Sequence, residues 1–191
     1  MEPWVAIDFE TANEKRASAC SIGLVAFDAR GEIEARYSTL LRPHAAVDWF
    51  NPRNIGVHGI SSLATRAAPT WDEVAGEIVD FIGARPLVAH NMGFDGSVLN
   101  GLTDLYGGPL LANKRMCTLR LARRLLAGRV GKMSLDTVFD YYFPGEVFSH
   151  HRADADAEAC GRIFARMQSD YGFGELERLC PPSNQRRRTS T

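Results

Sequence analysis

The chain has no apolar stretch long enough to cross a bilayer, which excludes a helical membrane span and leaves no membrane partner to expect. Its first residues lack the basic start and apolar core of a secretory signal, so a cytoplasmic protein is expected. Cysteine is scarce: Cys20, Cys117, Cys160 and Cys180 lie far apart, and no two form a C-x-x-C pair. A zinc ribbon or a disulfide scaffold is therefore not expected, and a reducing compartment is. An excess of one charge is also missing. The net charge of −1 announces no global basic field, although an acidic metal site would mask a local basic patch in that total. No G-x-S-x-G elbow occurs. "GRVGKM" at 128–133 is too short for a phosphate loop and has Met133 where a hydroxyl residue should follow Lys132. "YGFG" at 171–174 is no dinucleotide fingerprint, and there is no internal repeat.

What is present is an ordinary globular composition. With 191 residues, 45% hydrophobic and 24% charged, the chain can bury one sizeable core. One domain over residues 1–175 is expected, with 176–191 a disordered tail whose Arg186, Arg187 and Arg188 read as solvated charge. "VAIDFET" near the start is apolar and partly branched, as a strand requires. Residues 19–28 and the segment through Leu41 read as two more strands of an antiparallel meander. Residues 42–70 read as irregular, punctuated by Pro43, Pro52, Gly56, Gly59 and Pro69. Thr70 can cap a helix from about 71 to 84 whose stripe is Val74, Ile78, Phe81 and Ile82. "PLVAH" at 86–90 and "RMCTL" at 115–119 are short buried strands, the latter leading into a helix through Leu126. Helices are expected over about 94–106, 134–142 and 154–169. Strands in a hairpin run, then strands alternating with helices, imply an α/β domain with a mixed sheet.

The acidic residues carry the chemistry. Asp8 and Glu10 stand two apart on a strand, so they share a face about 7 Å apart along it. Asp95, Val98, Leu99, Leu102 and Tyr106 fall on one helix face, and Asp95 lies on that apolar stripe. Asp156, Cys160, Ile163, Phe164 and Met167 repeat the pattern on the last helix. Each acid alone suits a helix dipole or a solvated turn. Four carboxylates at the ends of elements that pack on one sheet would destabilise it unless compensated. A hard divalent ion such as magnesium or manganese is the economical compensation, because it prefers oxygen ligands. His151, five residues before Asp156, is a candidate general base beside bound water.

"DFET" at 8–11, "AHNMGFD" at 89–95 and "HRADADA" at 151–157 resemble, in order and separation, the three motifs of the DEDDh exonuclease family, which includes the proofreading epsilon subunit of bacterial DNA polymerase III. "HGIS" at 58–61, "TWDEVAGEIVDFI" and "CTLRLARRLL" extend the resemblance over roughly residues 4–170. It implies a ribonuclease H-like fold with a mixed five-stranded sheet flanked by helices, and 3′→5′ exonuclease activity with two magnesium or manganese ions. It implies that Asp8, Glu10, Asp95 and Asp156 hold the metal and that His151 is the base. It further suggests that Thr11, His58 and Phe94 border the 3′-terminal nucleotide, Phe94 by stacking. Cys117-Thr118 stands where the epsilon subunit tends to have Asp-Thr, which favours a free-standing relative. The leading expectation is release of nucleoside 5′-monophosphates from the 3′ end of single-stranded or frayed DNA, with association with a polymerase or repair complex left open. An RNA-preferring exonuclease and a non-catalytic nucleic-acid-binding or polymerase-accessory module are the alternatives.

Overall fold

A computed structural model describes residues 2–108 and 111–181. The first three strands form the meander the sequence suggests: β1 (Trp4–Thr11) pairs antiparallel with β2 (Ala19–Phe27), and β2 pairs antiparallel with β3 (Ile33–Leu40). β4 (Leu87–Ala89) and β5 (Arg115–Cys117) extend the sheet on the other side of β1, both parallel to it, giving the order β3-β2-β1-β4-β5. All but one of the nine residues of β2 are buried, whereas the edge strand β3 alternates between half-buried and exposed.

The 42–70 segment is more ordered than its punctuation suggests. It holds a 3-10 turn over Ala45–Val47, α1 (Pro52–His58) and α2 (Ser62–Thr65). Their caps were present in the sequence: the Asn51 side chain accepts from Arg53 N–H, Pro52 opens α1, and Gly59 ends it at φ 73°. Both helices are too short to show a periodic apolar stripe, so prolines and glycines dominate the local pattern.

α3 (Trp71–Ile82) begins at Thr70, whose N–H reaches the Glu73 carboxylate at 2.7 Å, and it buries Trp71, Val74, Ile78 and Ile82. Trp71 meets Phe9 at 6.2 Å, which sets α3 on the Phe9 face of the sheet. α4 (Met92–Tyr106) follows β4, α5 (Thr118–Leu125) follows β5, and α6 (Leu135–Tyr142) leads to the long α7 (Ala153–Tyr171). α7 lies on the opposite sheet face because two glycines clear its path. A Cβ on Gly23 of β2 would lie 2.2 Å from the Ala153 carbonyl oxygen, and one on Gly161 of α7 would lie 2.1 Å from the Phe27 ring. Trp4 stacks on Phe27 at 5.1 Å and meets Phe164 of α7 edge-on at 5.3 Å.

The expected domain boundary at 175 falls inside α8 (Phe173–Leu179). Leu176 and Cys180 are buried, so the packed unit runs at least to Cys180. The reading of 176–191 as a disordered tail is thus corrected for 176–180, where Leu176 and Cys180 are buried and Phe173, at the start of α8, meets Phe164 of α7 edge-on at 6.2 Å. The remainder, from 182 on, lies outside the described residues.

Candidate active site

The site forms where β1, α4 and α7 converge. Asp8 stands opposite Gly23 and Glu10 opposite Ser21, so both carboxylates share the sheet face that α7 covers. The Gly23 contact seats the first turn of α7 against β2, and that turn carries Asp156. Ligand oxygens of Asp8, Glu10 and Asp156 come within 4.8 Å of one another. Asp95 arrives from α4, whose entry is set by Asn91 in the left-handed region at φ 79°. Its carboxylate accepts the Phe9 N–H at 3.1 Å and is almost fully buried. Asp95 thus borders the three-carboxylate group without joining it.

The electrostatics are those of a site built for a cation. Burial, then the charges of Asp156 and Asp95, push Glu10 up to about 8. Burial pushes Asp95 up to about 8 as well, against the lowering influence of the Phe9 N–H and of Arg16. Asp8 is raised well above the carboxylate range by burial, then by Asp95, Asp156 and Glu10. Asp156 is raised by burial and partly relieved by His150. Among the described residues, no Lys or Arg pairs with any of these four acids. An all-oxygen donor set, tightly grouped and uncompensated from within, fits a hard divalent ion.

Two histidines accompany Asp156. The His150 Nδ1 lies 2.9 and 3.0 Å from the two carboxylate oxygens, and the His151 backbone N–H donates to Oδ2 at 3.1 Å. The rings stack at 3.9 Å between centroids, and His151 takes the left-handed region at φ 67°. Spacing to Asp156 and the motif resemblance both single out His151; the structure shows that His150 makes the direct side-chain contact. The exposed His151 ring instead lines a cavity of about 320 Å³ that also meets His58, Ser21 and Ser38.

The residues expected around a terminal nucleotide divide. Thr11 is buried, and its carbonyl accepts from Asn54 Nδ2 at 2.8 Å and from His58 Nε2 at 3.2 Å. His58 Nδ1 accepts the Ile60 N–H at 3.0 Å, so both ring nitrogens are engaged and His58 is a neutral brace between α1 and β1. Burial lowers its pKa, consistent with that form. Phe94 is half-buried at the start of α4, beside Asp95.

Two supporting residues escaped the sequence reading. Asn54 ties α1 to Thr11, and His90 bridges Thr118 Oγ1 at 2.9 Å and the Met133 carbonyl at 2.8 Å. His90 stands inside "AHNMGFD", but its partners are 28 and 43 residues away, and no local pattern announces them.

Residues 5–164 match the family described as Exonuclease. The chain is 31% identical over 182 residues to the DNA polymerase III subunit epsilon of Aquifex aeolicus, covering 92% of this chain and 87% of that protein. Its fold is similar to that of Exonuclease X in complex with 5′ overhanging duplex DNA (TM-score 0.72, 24% identity, 92% of this chain and 98% of the other). It is also similar to that of exonuclease I (TM-score 0.77, 17% identity, 94% of this chain and 42% of the other). The chain belongs to the exonuclease family and is a 3′→5′ exonuclease with a ribonuclease H-like fold.

Proposed function

We propose that this family member shortens single-stranded or frayed DNA from its 3′ end, releasing one nucleoside 5′-monophosphate per turnover. The observation that carries the reading is the oxygen cluster of Asp8, Glu10 and Asp156 at the end of β1, which no Lys or Arg among the described residues pairs with. The family is metal-dependent, and the cluster could hold a divalent metal. Asp8, Glu10 and Asp156 would hold magnesium or manganese, two ions per site, with Asp95 completing the set. Bound metal supplies neutralisation of the cluster, Lewis-acid polarisation of the scissile phosphodiester and a lowered pKa for water. His151, exposed at the cavity, takes the proton of the attacking water at a ring nitrogen. His150 holds the Asp156 carboxylate in place, and Thr11, braced by Asn54 and His58, shapes the floor under the terminal nucleotide. Similarity to polymerase III epsilon subunits points to DNA as the substrate, to the cytoplasm as the compartment, and to a polymerase or repair assembly as a partner.

A degradation assay decides this. Matched 5′-labelled single-stranded DNA, duplex DNA and RNA are compared with a circular single strand. Single-stranded DNA should be degraded fastest, to 5′-monophosphates. Duplex ends should be slower, because a terminal pair must first unstack at a cost of a few kcal/mol. The circle should survive. Cutting of the circle, or release of 3′-monophosphates, would overturn the reading, and faster loss of RNA would replace its substrate.

A further inference from the structure

The loop that leaves β1 is unusually well fastened for an exposed segment. Ala12 N–H donates to the Ser18 carbonyl at 2.8 Å, and Ser18 N–H donates to the Lys15 carbonyl at 3.0 Å. The Asn13 side chain donates to the Val47 and Trp49 carbonyls at 3.0 and 2.7 Å and accepts the Lys15 N–H at 2.9 Å. The far side of the loop rests on α4, where a Cβ on Gly101 would lie 3.1 Å from the Ala17 nitrogen. This bracing fixes Arg16 beside the site. Its guanidinium carbon lies 4.6 Å from the centroid of the Phe94 ring. Arg16 makes no ion pair among the described residues, and its charge is felt at Asp95.

Phe94 is half-buried against the core, and a guanidinium lies over its ring. A base approaching that ring therefore meets a guanidinium before it meets the phenyl face. A guanidinium is planar, stacks on bases as readily as on phenyl rings, and stays charged. Resting on Phe94, it lies over the ring of the residue that immediately precedes Asp95. An exposed cation–π pair is weak, so the contact alone would not hold a long side chain. The fastened loop supplies the rest.

We propose that Arg16 is the stacking platform for the 3′-terminal base, with Phe94 its backing. This specificity role rests on the exonuclease reading of the same site. It predicts a substrate whose terminal residue must carry a base, of any identity, since every base has a face to stack.

The test uses a 5′-fluorescein-labelled single strand of fifteen thymidines, and the same strand ending in an abasic residue. KM and kcat are measured with magnesium, and Kd by fluorescence anisotropy with calcium. Arg16→Ala should raise KM and Kd about tenfold on the normal strand, with kcat changed less than about threefold. Arg16→Lys keeps the charge and loses the plane, and should recover less than half of that loss. On the abasic strand, wild type and both variants should become equal. Unchanged KM and Kd in Arg16→Ala would overturn the proposal. So would full rescue by lysine, or a deficit that persists on the abasic strand, since either describes a phosphate contact. Arg16 is exposed, and thermal unfolding should confirm that the variants fold; Arg16→Lys decides the matter should Arg16→Ala fail to. Absence of degradation by the wild type would sink the exonuclease reading, while the anisotropy comparison would still judge Arg16.

Discussion

The sheet carries acidic residues at both of its ends, and the ends treat them oppositely. At the β2–β3 turn, Asp28 accepts the Arg30 and Glu32 N–H groups at 2.8 and 2.9 Å, and the Arg30 guanidinium lies 2.9 Å away. These partners, the Glu32 N–H foremost, hold Asp28 below its ordinary value. At the other end, Asp8, Glu10 and Asp95 are raised, chiefly by burial. The chain sets Arg30 two residues from Asp28, but among the described residues no Lys or Arg pairs with Asp8. Folding satisfies one acidic end and leaves the other in want of charge. On the proposed reading, a divalent ion held between the carboxylates meets that demand.

The comparison is broken most forcefully by removing a carboxylate from each end. Asp8→Ala or Asp156→Ala should abolish turnover, and EDTA should do the same to the wild type. The metal-free Asp8→Ala protein should fold normally, since relief of repulsion offsets the lost side chain. Asp28→Ala should leave kcat/KM unchanged within about twofold, because its partners are local and exposed. Retained turnover in Asp8→Ala, measured on a 5′-labelled strand, would remove the basis of the site.

The histidines give the next largest effect. His151→Ala should slow turnover on the order of 10²–10⁴-fold, the range for a positioned base. His150→Ala should cost about tenfold, as loss of a group that orients a metal-binding carboxylate does. The opposite ranking would assign proton transfer to His150, the histidine nearer Asp156, and leave His151 a cavity wall.

Gly23 tests how the acidic end is assembled. A methyl group there would press on the Ala153 carbonyl at 2.2 Å, and neither backbone can yield cheaply. Gly23→Ala should destabilise by about 1–3 kcal/mol, the cost of overpacking. It should also slow turnover about 10²-fold, because α7 carries Asp156 and a displacement near 1 Å is enough. Gly76→Ala is the matched control. It has open space around its Cβ and sits inside α3, so it should stabilise by about 0.5–1 kcal/mol without changing turnover. Equal effects from the two substitutions would show that α7 adjusts freely.

These contacts also show what the sequence could and could not disclose. The apolar-then-acidic run at Asp8 and Glu10, the stripes through Asp95 and Asp156, and the alternation of strands and helices after α3 were legible. Each depends on spacing within one element. The helices α1, α2 and α8 are too short, at seven, four and seven residues, to show a periodic apolar stripe, and Pro52 and Gly56 mask α1 further. The roles of Asn54, His90 and Arg16 depend on partners brought near by the fold, at Thr11, at Met133 and at Phe94. Gly23 is a further case. Its glycine reads as a weak point in a strand until the helix crossing it is known.

The gentlest test leaves every residue in place and varies pH. Glu10 and Asp95 have ordinary values of 4.5 and 3.8, and folding without metal raises both to about 8. The folded state therefore binds their protons more tightly than the unfolded chain. The stability they contribute is complete below about pH 4 and lost as pH rises towards about 8. Asp28 runs the other way: its contribution is complete above its ordinary value of 3.8 and fades as pH falls below it. Asp28 is fully ionised above about pH 5, and half-buried His58 and His90, whose values are lowered, contribute a pH slope only below their ordinary value of 6.5, so between pH 6.5 and about 8.5 the melting temperature of EDTA-treated protein should fall. Metal binds the deprotonated carboxylates of the folded state, so magnesium or manganese should stabilise more at pH 8 than at pH 5. The gain reaches about 2.7 kcal/mol when the free ion is at 100 times its dissociation constant. Scanning calorimetry with and without manganese reads both slopes. A melting temperature that rises with pH in EDTA over that window, or a manganese gain independent of pH, would mean that the acids at this end are ionised without help. The contrast between the two ends of the sheet would then disappear.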